Sequence, residues 1–381
     1  MAYISCDGAV LARLKKENVS MKSGRSLQDL VIELDRQATR KSDFAAPTSK
    51  LSVEVVEGVV EEGRSRLALV AEGVGSFPLR TIAIDQTAGH LDIPLKYVRK
   101  LQDEQPNLLV QNFNTLLHVK PVRRLIRTLD GDARAFLSDR YQRIDNIDVA
   151  QVVLAAFVDT NLQVVSCEVT ESRLYIKAVF PGLQREIKSR RVGDFVEAGV
   201  IVTNSEIGLG AVSVKPFAHF LVCTNGMVVN KAKRFTHVGA RIGGEEIGYL
   251  KDDTIAAGDR FDLLRIRDAL KQAIDETAFD EFVQQLEGAT QQQIEAGRVT
   301  DAIEVLGNKL TFTEPERKSI LTHLIEGGDL SRYGLVNAVT RTAQDAEGYD
   351  RATELEAAGY AVLALPANDW KQIAYAAPKA A

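Results

Sequence analysis

The chain has 381 residues, 45% of them apolar and 26% charged, enough to bury a substantial core and to hold two or three domains. A formal net charge of −5 excludes a protein coated in cations, though not one with a local basic groove. No apolar run approaches the roughly 20 residues of a membrane helix, and Met1 to Asp7 lacks the basic leader and apolar stretch of a secretory signal, so cytoplasmic residence with no membrane partner is expected.

In chain order, Leu27, Leu30, Val31 and Leu34 share one helical face, with Ser26 placed as the N-cap. Lys50 to Val70 holds two β-branched runs divided by Gly58 and Gly63, which predicts a hairpin. A helix follows from about Gln86 to Leu101, broken or restarted at Ile93-Pro94, and a second from Asn107 to His118 after Pro106. Residues 1–121 therefore read as an α+β N-terminal portion.

From 122 to 238 strand-like runs succeed one another around a single strong helix. Ala133 to Ser138 is the first strand, and the helix opens near Asn146 as N-cap and carries Ile147, Val149, Val152, Val153, Ala156 and Phe157. Leu162–Thr170 and Arg173–Phe180 predict a hairpin. In its second arm Leu174, Ile176 and Ala178 alternate with Tyr175, Lys177 and Val179, so one face is expected to be wet. Asp194–Thr203 and Val212–Val222 continue the sheet, with Pro216 at an edge or bulge, and Asn225-Gly226 is a turn signal. Residues 239–381 pass through a glycine-containing loop (Gly239 to Gly248) into helices over Asp262–Gln285, Val299–Leu306, Glu314–Ile325, Leu335–Ala346 and Tyr349–Ala358. Thr313 and Pro315 open the third, and Gly359 is placed to close the last. The predicted fold is α+β: a central antiparallel β-meander with a packed helix, flanked by an α+β N-terminal portion and a mainly helical C-terminal portion.

The chemical motifs are mostly negative. Neither a phosphate-binding GxxxxGK[ST] loop nor a dinucleotide GxGxxG between strand and helix is present. Ile207-Gly-Leu-Gly-Ala runs into a strand-like segment, so no cofactor is expected. Cys6, Cys167 and Cys223 form no CxxC pair and read as small buried hydrophobes. His90, His118, His219, His237 and His323 form no paired metal-binding motif. No GxSxG elbow occurs, and no catalytic residue is assigned. Asp139, Asp145, Asp148, Glu168, Glu171 and Glu206 would make a metal-dependent nuclease site only if the fold gathered several of them.

Between Lys120 and Arg143 seven cations (Lys120, Arg123, Arg124, Arg127, Arg134, Arg140, Arg143) face three aspartates, against the trend of the chain. Smaller basic clusters lie at Arg185, Lys188, Arg190 and Arg191, and at Lys231, Lys233 and Arg234. The Asn204-Ser205-Glu206 stretch with Gly208 and Gly210 is either a ligand loop or a tight strand connection that closes its own hydrogen bonds.

The strings Phe136-Leu-Ser-Asp-Arg-Tyr-Gln-Arg-Ile-Asp-Asn, Val169-Thr-Glu-Ser-Arg-Leu-Tyr-Ile-Lys, Gly199-Val-Ile-Val-Thr-Asn-Ser-Glu-Ile-Gly-Leu-Gly-Ala and Val222-Cys-Thr-Asn-Gly-Met, with Leu335-Val-Asn-Ala-Val-Thr and Tyr349-Asp-Arg-Ala-Thr-Glu-Leu-Glu in the tail, resemble the phage/plasmid-like domain-of-unknown-function family 932. The order of strand, helix, antiparallel meander and helix is more distantly similar to the single-strand annealing recombinases, the RecT- and Redβ-like and eukaryotic annealing proteins. That second resemblance implies ATP-independent binding or annealing of single-stranded DNA by a ring- or filament-forming homo-oligomer. Arg124, Arg127, Arg140, Arg143 and Lys177 are then candidates for phosphate contacts, and Tyr141 and Tyr175 for stacking. A structural or interaction protein of a mobile element and a metal-dependent nuclease-like enzyme are the alternatives.

Overall fold

The computed structural model describes residues 22, 24–61, 64–188, 192–221, 225–229, 233–235, 264–270 and 275–375. Among these the chain is α+β: small sheets with helices at the N-terminal end, a central antiparallel meander, and a helical C-terminal region. Cys6, Cys223, Arg190, Arg191, Lys231, His237, the Gly239–Gly248 loop and Asp262 lie outside the described residues.

Helix α1 (Leu27–Arg40) is capped by Ser26, whose hydroxyl accepts from the Asp29 amide, and it buries Leu27, Leu30 and Leu34. β1 (Phe44–Pro47) follows, then the hairpin of β2 (Leu51–Glu61) and β3 (Arg64–Ala71), with β4 (Gly75–Pro78) added beside β3. The free edge of β2 is closed by side chains. Asn114 accepts from the Val53 amide at 2.6 Å and donates to the Val53 carbonyl at 2.9 Å, while His118 reaches the Leu51 carbonyl. Three helices complete this layer, α2 (Thr81–His90), α3 (Leu95–Glu104) and α4 (Pro106–Val119), so Pro94 separates two helices and Pro106 opens the third. Helix α2 begins at Thr81, five residues earlier than the sequence pattern places it.

The hairpin of β5 (Arg123–Leu129) and β6 (Asp132–Ser138) corrects the sequence reading. It is not part of the meander but forms its own sheet with β1, in the order β1-β5-β6. Ile126, Ala133 and Phe136 pack into the N-terminal core with Leu67, Ile84 and Phe113. The N-terminal layer thus continues to Ser138, past the expected boundary at residue 121.

Helix α5 (Asn146–Thr160) leads into β7 (Gln163–Val169), β8 (Leu174–Glu186), β9 (Phe195–Asn204), β10 (Val212–Phe220) and β11 (Asn225–Val228), consecutive antiparallel neighbours. β12 (Lys233–Phe235) pairs with the first part of β10 and β11 with its last part. Pro216, which has no N–H for a ladder, stands where one partner gives way to the other. Asn225-Gly226 lies inside β11 and is not a turn: the Asn225 amide donates to the Thr340 hydroxyl.

Both faces of the meander are covered, which overturns the expectation of a wet face. Leu174, Ile176, Val200 and Val202 pack on α1 and on Val149, Val153 and Phe157 of α5. Tyr175, Val179, Ile201, Phe217 and Val228 pack on Tyr349. A helical segment at 264–270 joins the first side through Ile266, Ala269 and Leu270. The cover on the second side is the helical region: α6 (Glu276–Thr290), α7 (Val299–Leu310), α8 (Glu314–Gly327), α9 (Arg332–Thr342), α10 (Tyr349–Leu363) and α11 (Ala367–Ala374). Their core contains Phe279, Leu286, Leu306, Leu335, Val339, Leu355 and Trp370. Thr313 and Glu316 form a capping box on α8. Gly359 does not end α10. It lies within it, where a Cβ would come to 2.2 Å from Thr340 Cγ2, so glycine permits the close crossing of α9 and α10. No helix among the described residues is long and apolar enough to cross a membrane.

Candidate functional site

Residues that the sequence leaves scattered converge beneath the β9–β10 connection, Asn204 to Gly210. Arg127, in the middle of β5, is fully buried and spends its guanidinium three ways: Nε to Asp43 at 2.8 Å, Nη2 to Asp145 at 2.5 Å and Nη1 to the Glu206 carbonyl at 3.0 Å. The Glu206 carboxylate accepts from Lys41 at 2.6 Å, from the Asn146 amide at 2.6 Å and from Arg134. Three cations (Lys41, Arg127, Arg134) and three carboxylates (Asp43, Asp145, Glu206) therefore balance.

Glu206 also supplies the first turn of α5 with an acceptor. The structure makes Asp145 the N-cap in place of Asn146, but the Asp145 side chain is held by Arg127 and caps nothing, so a carboxylate from the adjacent loop meets the helix N-terminus instead. Burial alone would raise the Glu206 carboxyl, yet the charges of Arg134 and Lys41 outweigh it and hold the group below its ordinary value. Asp145 is held low in the same way, by Arg127 and Lys41 against its burial. The Arg127 guanidinium stays charged because Asp145, Asp43 and Glu206 overcome its desolvation.

The loop closes on itself and on its neighbours. Asn204 donates to the Ile144 carbonyl at 3.0 Å and to Asn146 Oδ1 at 2.9 Å. The Ser205 hydroxyl donates to the Ser172 carbonyl at 2.8 Å and accepts from the Leu209 amide. Gly208 takes φ +78°, with Leu137 Cδ2 only 2.7 Å from where its Cβ would be, and Gly210 lies against the Arg173 guanidinium. Tyr141 donates to the Ser205 carbonyl at 2.9 Å and packs with Leu137 and Ile207. Burial pushes its hydroxyl up to about 12. The tight-connection reading of this loop accounts for these contacts.

A polar cavity of about 230 Å³ opens beside the network, between the N-terminal layer and the turn from β7 to β8. Arg25, Arg36, Arg80, Arg134 and Arg173 line it, together with Glu33, Asp130, Glu171 and Glu206.

The nucleic-acid candidates fall into two groups. Lys177 is wholly buried on the second face of β8, 2.6 Å from Glu356 of α10 and 4.6 Å above the Tyr349 ring, so it is withdrawn from any phosphate. Burial lowers the Lys177 ammonium and raises the Glu356 carboxyl, each partly offset by the other. Tyr175 is 4% exposed and rests 5.3 Å from Tyr349, which removes it as a stacking platform. Arg127 is removed by its own ion pairs. Arg124 is half-buried against Phe136 and His90, and burial disfavours its guanidinium charge. Arg140 and Arg143 are exposed, as are Lys120 and Arg123, and none of the four forms an ion pair with a described residue. The register Arg124↔Ser138 brings the start of β5 beside the turn that carries Arg140.

Three further sequence candidates have structural partners. Arg185 pairs with Glu276 and Asp280, His219 with Glu197, and His323 with Asp345. Among the described residues no group of three or more His, Cys, Asp or Glu could hold a metal ion; Asp145 and Glu206 do meet, but around cations. Sequence reasoning missed Lys41, Asp43 and Arg134 as members of the network. The available signal was an arginine flanked by apolar residues in Leu125-Ile-Arg-Thr-Leu, a position that folds inward and must find carboxylates. Comparison with models of known protein families, with curated proteins and with solved structures finds no match to this chain.

Proposed function

We propose that this protein binds single-stranded nucleic acid through the cationic edge where β5 begins and β6 ends, as an annealing-type protein in the sense of the resemblance drawn from the sequence. The observation that carries this reading is the contrast among its arginines. Arg127 and Arg134, inside the fold, are neutralised by carboxylates, whereas Lys120, Arg123, Arg140 and Arg143 stand exposed on neighbouring segments with Asp139 in their midst. Exposed cations that face solvent gain most by displacing counterions from a phosphate backbone, and such contacts leave the bases free to pair.

The test is fluorescence anisotropy of a labelled oligothymidine against salt. Four phosphate contacts give a slope of log K on log salt of about −3, from about 0.7 per contact for single strands. Absence of binding at low salt overturns the proposal. Self-association is a second element of the reading, favoured by Leu108, Leu116 and Val119, which lie exposed on α4, with Val122 beyond it. Sedimentation velocity with and without oligonucleotide measures it.

A further inference from the structure

At the same end of the β5–β6 hairpin as Arg123 and Arg140, Arg124 has a base for a partner instead of an acid. Its Nη2 donates to Nδ1 of His90, the last residue of α2, and its guanidinium lies 5.7 Å from the centroid of the Phe136 ring. It forms no ion pair with a described residue, and Asp139, in the turn after β6, acts on its charge only at longer range. Only a neutral imidazole accepts a hydrogen bond from a guanidinium. The contact therefore puts the His90 hydrogen on Nε2 and is lost when the ring gains a second one.

The groups around His90 pull in opposite directions. Burial and the Arg124 charge hold its imidazole below the ordinary value, while Asp92, just past the helix, favours the imidazolium. The place of the ring in the last turn of α2 favours it too, because a helix C-terminus attracts a cation. An anion that served His90 and Arg124 at once would complete the set, and both side chains are only half-buried, so a strand phosphate can reach them.

We propose, on the reading that this edge binds single strands, that His90 and Arg124 form a proton-linked phosphate site within it. The hydrogen bond from Arg124 to His90 breaks, His90 takes one proton from solvent, and the guanidinium and the imidazolium each donate to the phosphate. No covalent bond to carbon or phosphorus changes. Because the bound state holds one more proton than the free protein, affinity rises as pH falls.

Anisotropy of labelled oligothymidine, whose bases do not titrate between pH 6 and 8, tests this at constant ionic strength. Raising the His90 imidazole by one unit on binding is worth at most ten-fold, so binding about five-fold tighter at pH 6 than at pH 8 is expected. His90→Gln keeps an acceptor for Arg124 in its amide oxygen and cannot take up a proton, so its affinity should be the same at both pH values. His118→Gln, whose amide can still donate to the Leu51 carbonyl, should keep the gain at pH 6. Imidazole NMR of the full chain follows His90 directly, and its titration midpoint should move up when oligothymidine is added. A gain that is absent from the wild type, or that survives in His90→Gln, or a midpoint that does not move, overturns the proton-linked site and leaves the edge standing. No binding at either pH removes the edge and this site together.

Discussion

Removing either member of the Lys177–Glu356 pair should destabilise the protein strongly, and with opposite dependence on pH. Both side chains are at most 2% exposed, on β8 and α10, with His219 close enough to favour the Glu356 charge. Replacing one partner leaves an unpaired buried ion, which costs about 3–5 kcal/mol. Titration sets a ceiling, since the stranded group can discharge. In Glu356→Gln, Lys177 loses its proton at a cost of about 4.6 kcal/mol at pH 7, from 1.36 kcal/mol for each unit below about 10.4. In Lys177→Met, Glu356 gains a proton at about 3.7 kcal/mol, counted from about 4.3. The signs follow from proton counts. With a neutral Lys177 in the fold, the unfolded chain binds the extra proton, so Glu356→Gln gains stability as pH rises. With a protonated Glu356 in the fold, the native state binds it, so Lys177→Met loses stability as pH rises. The double variant strands no ion and should lie within about 1.5 kcal/mol of the wild type. Urea unfolding at pH 6, 7 and 8 reports all of this through Trp370, the sole tryptophan, 7% exposed beneath the Arg332 guanidinium. Single variants costing under about 1 kcal/mol, or losing stability with the same pH slope, would refute a dry ion pair.

Arg140→Ala with Arg143→Ala should weaken oligonucleotide binding and make the salt slope shallower by about 1.4, with no change in the unfolding midpoint; an unchanged slope removes these residues from the interface. Glu206→Gln should cost about 3–5 kcal/mol at pH 7. Because Glu206 and Asp145 are held low in the fold, their contribution is present above about pH 4.3 and is lost as pH falls through their folded values, so the variant should show a flatter acid limb in a pH titration of stability. Gly359→Ala should cost about 1–3 kcal/mol through its collision with Thr340 Cγ2. Thr340→Ser, which keeps the hydroxyl and deletes that methyl, should restore most of the loss in thermal melts. Burial pushes the Cys167 thiol up to about 12, so peptide mapping after alkylation should find it unmodified in the native protein and modified in urea.

What could be read from the sequence was what is local. The hairpin at 51–71, the capped helix from Ser26 and the strands between 163 and 220 each carry their period in a few adjacent residues. Sheet membership was not local: β6 reads as a strand either way, and only the pairing of Phe44 with Ile126 draws it into the N-terminal layer. The buried arginine shows the same limit, since Asp43 lies 84 residues before Arg127 and Glu206 lies 79 after it. Lys177 misled for a physical reason. An alternating polar residue in a strand usually marks the solvated face, and it changes meaning only when a distant helix brings a carboxylate over it. Gly359 resembles a helix stop until the neighbouring helix is known to press against it.

The doubly covered meander has a consequence for how the chain matures during synthesis. Its last central strand, β11, leaves the ribosome roughly 120 residues before α10, the helix that shields Tyr175, Lys177 and Val179. At about 5–20 residues per second that interval lasts on the order of ten seconds. Throughout it, a sheet already closed on α1 and α5 presents a second face in which Tyr175, Val179, Ile201 and Phe217 surround the Lys177 ammonium, with Lys215 and the Glu197–His219 pair on the same face. The charge then serves the nascent chain before it serves the finished one: it keeps the waiting surface hydrated, and it loses its water only when Glu356 arrives to receive it.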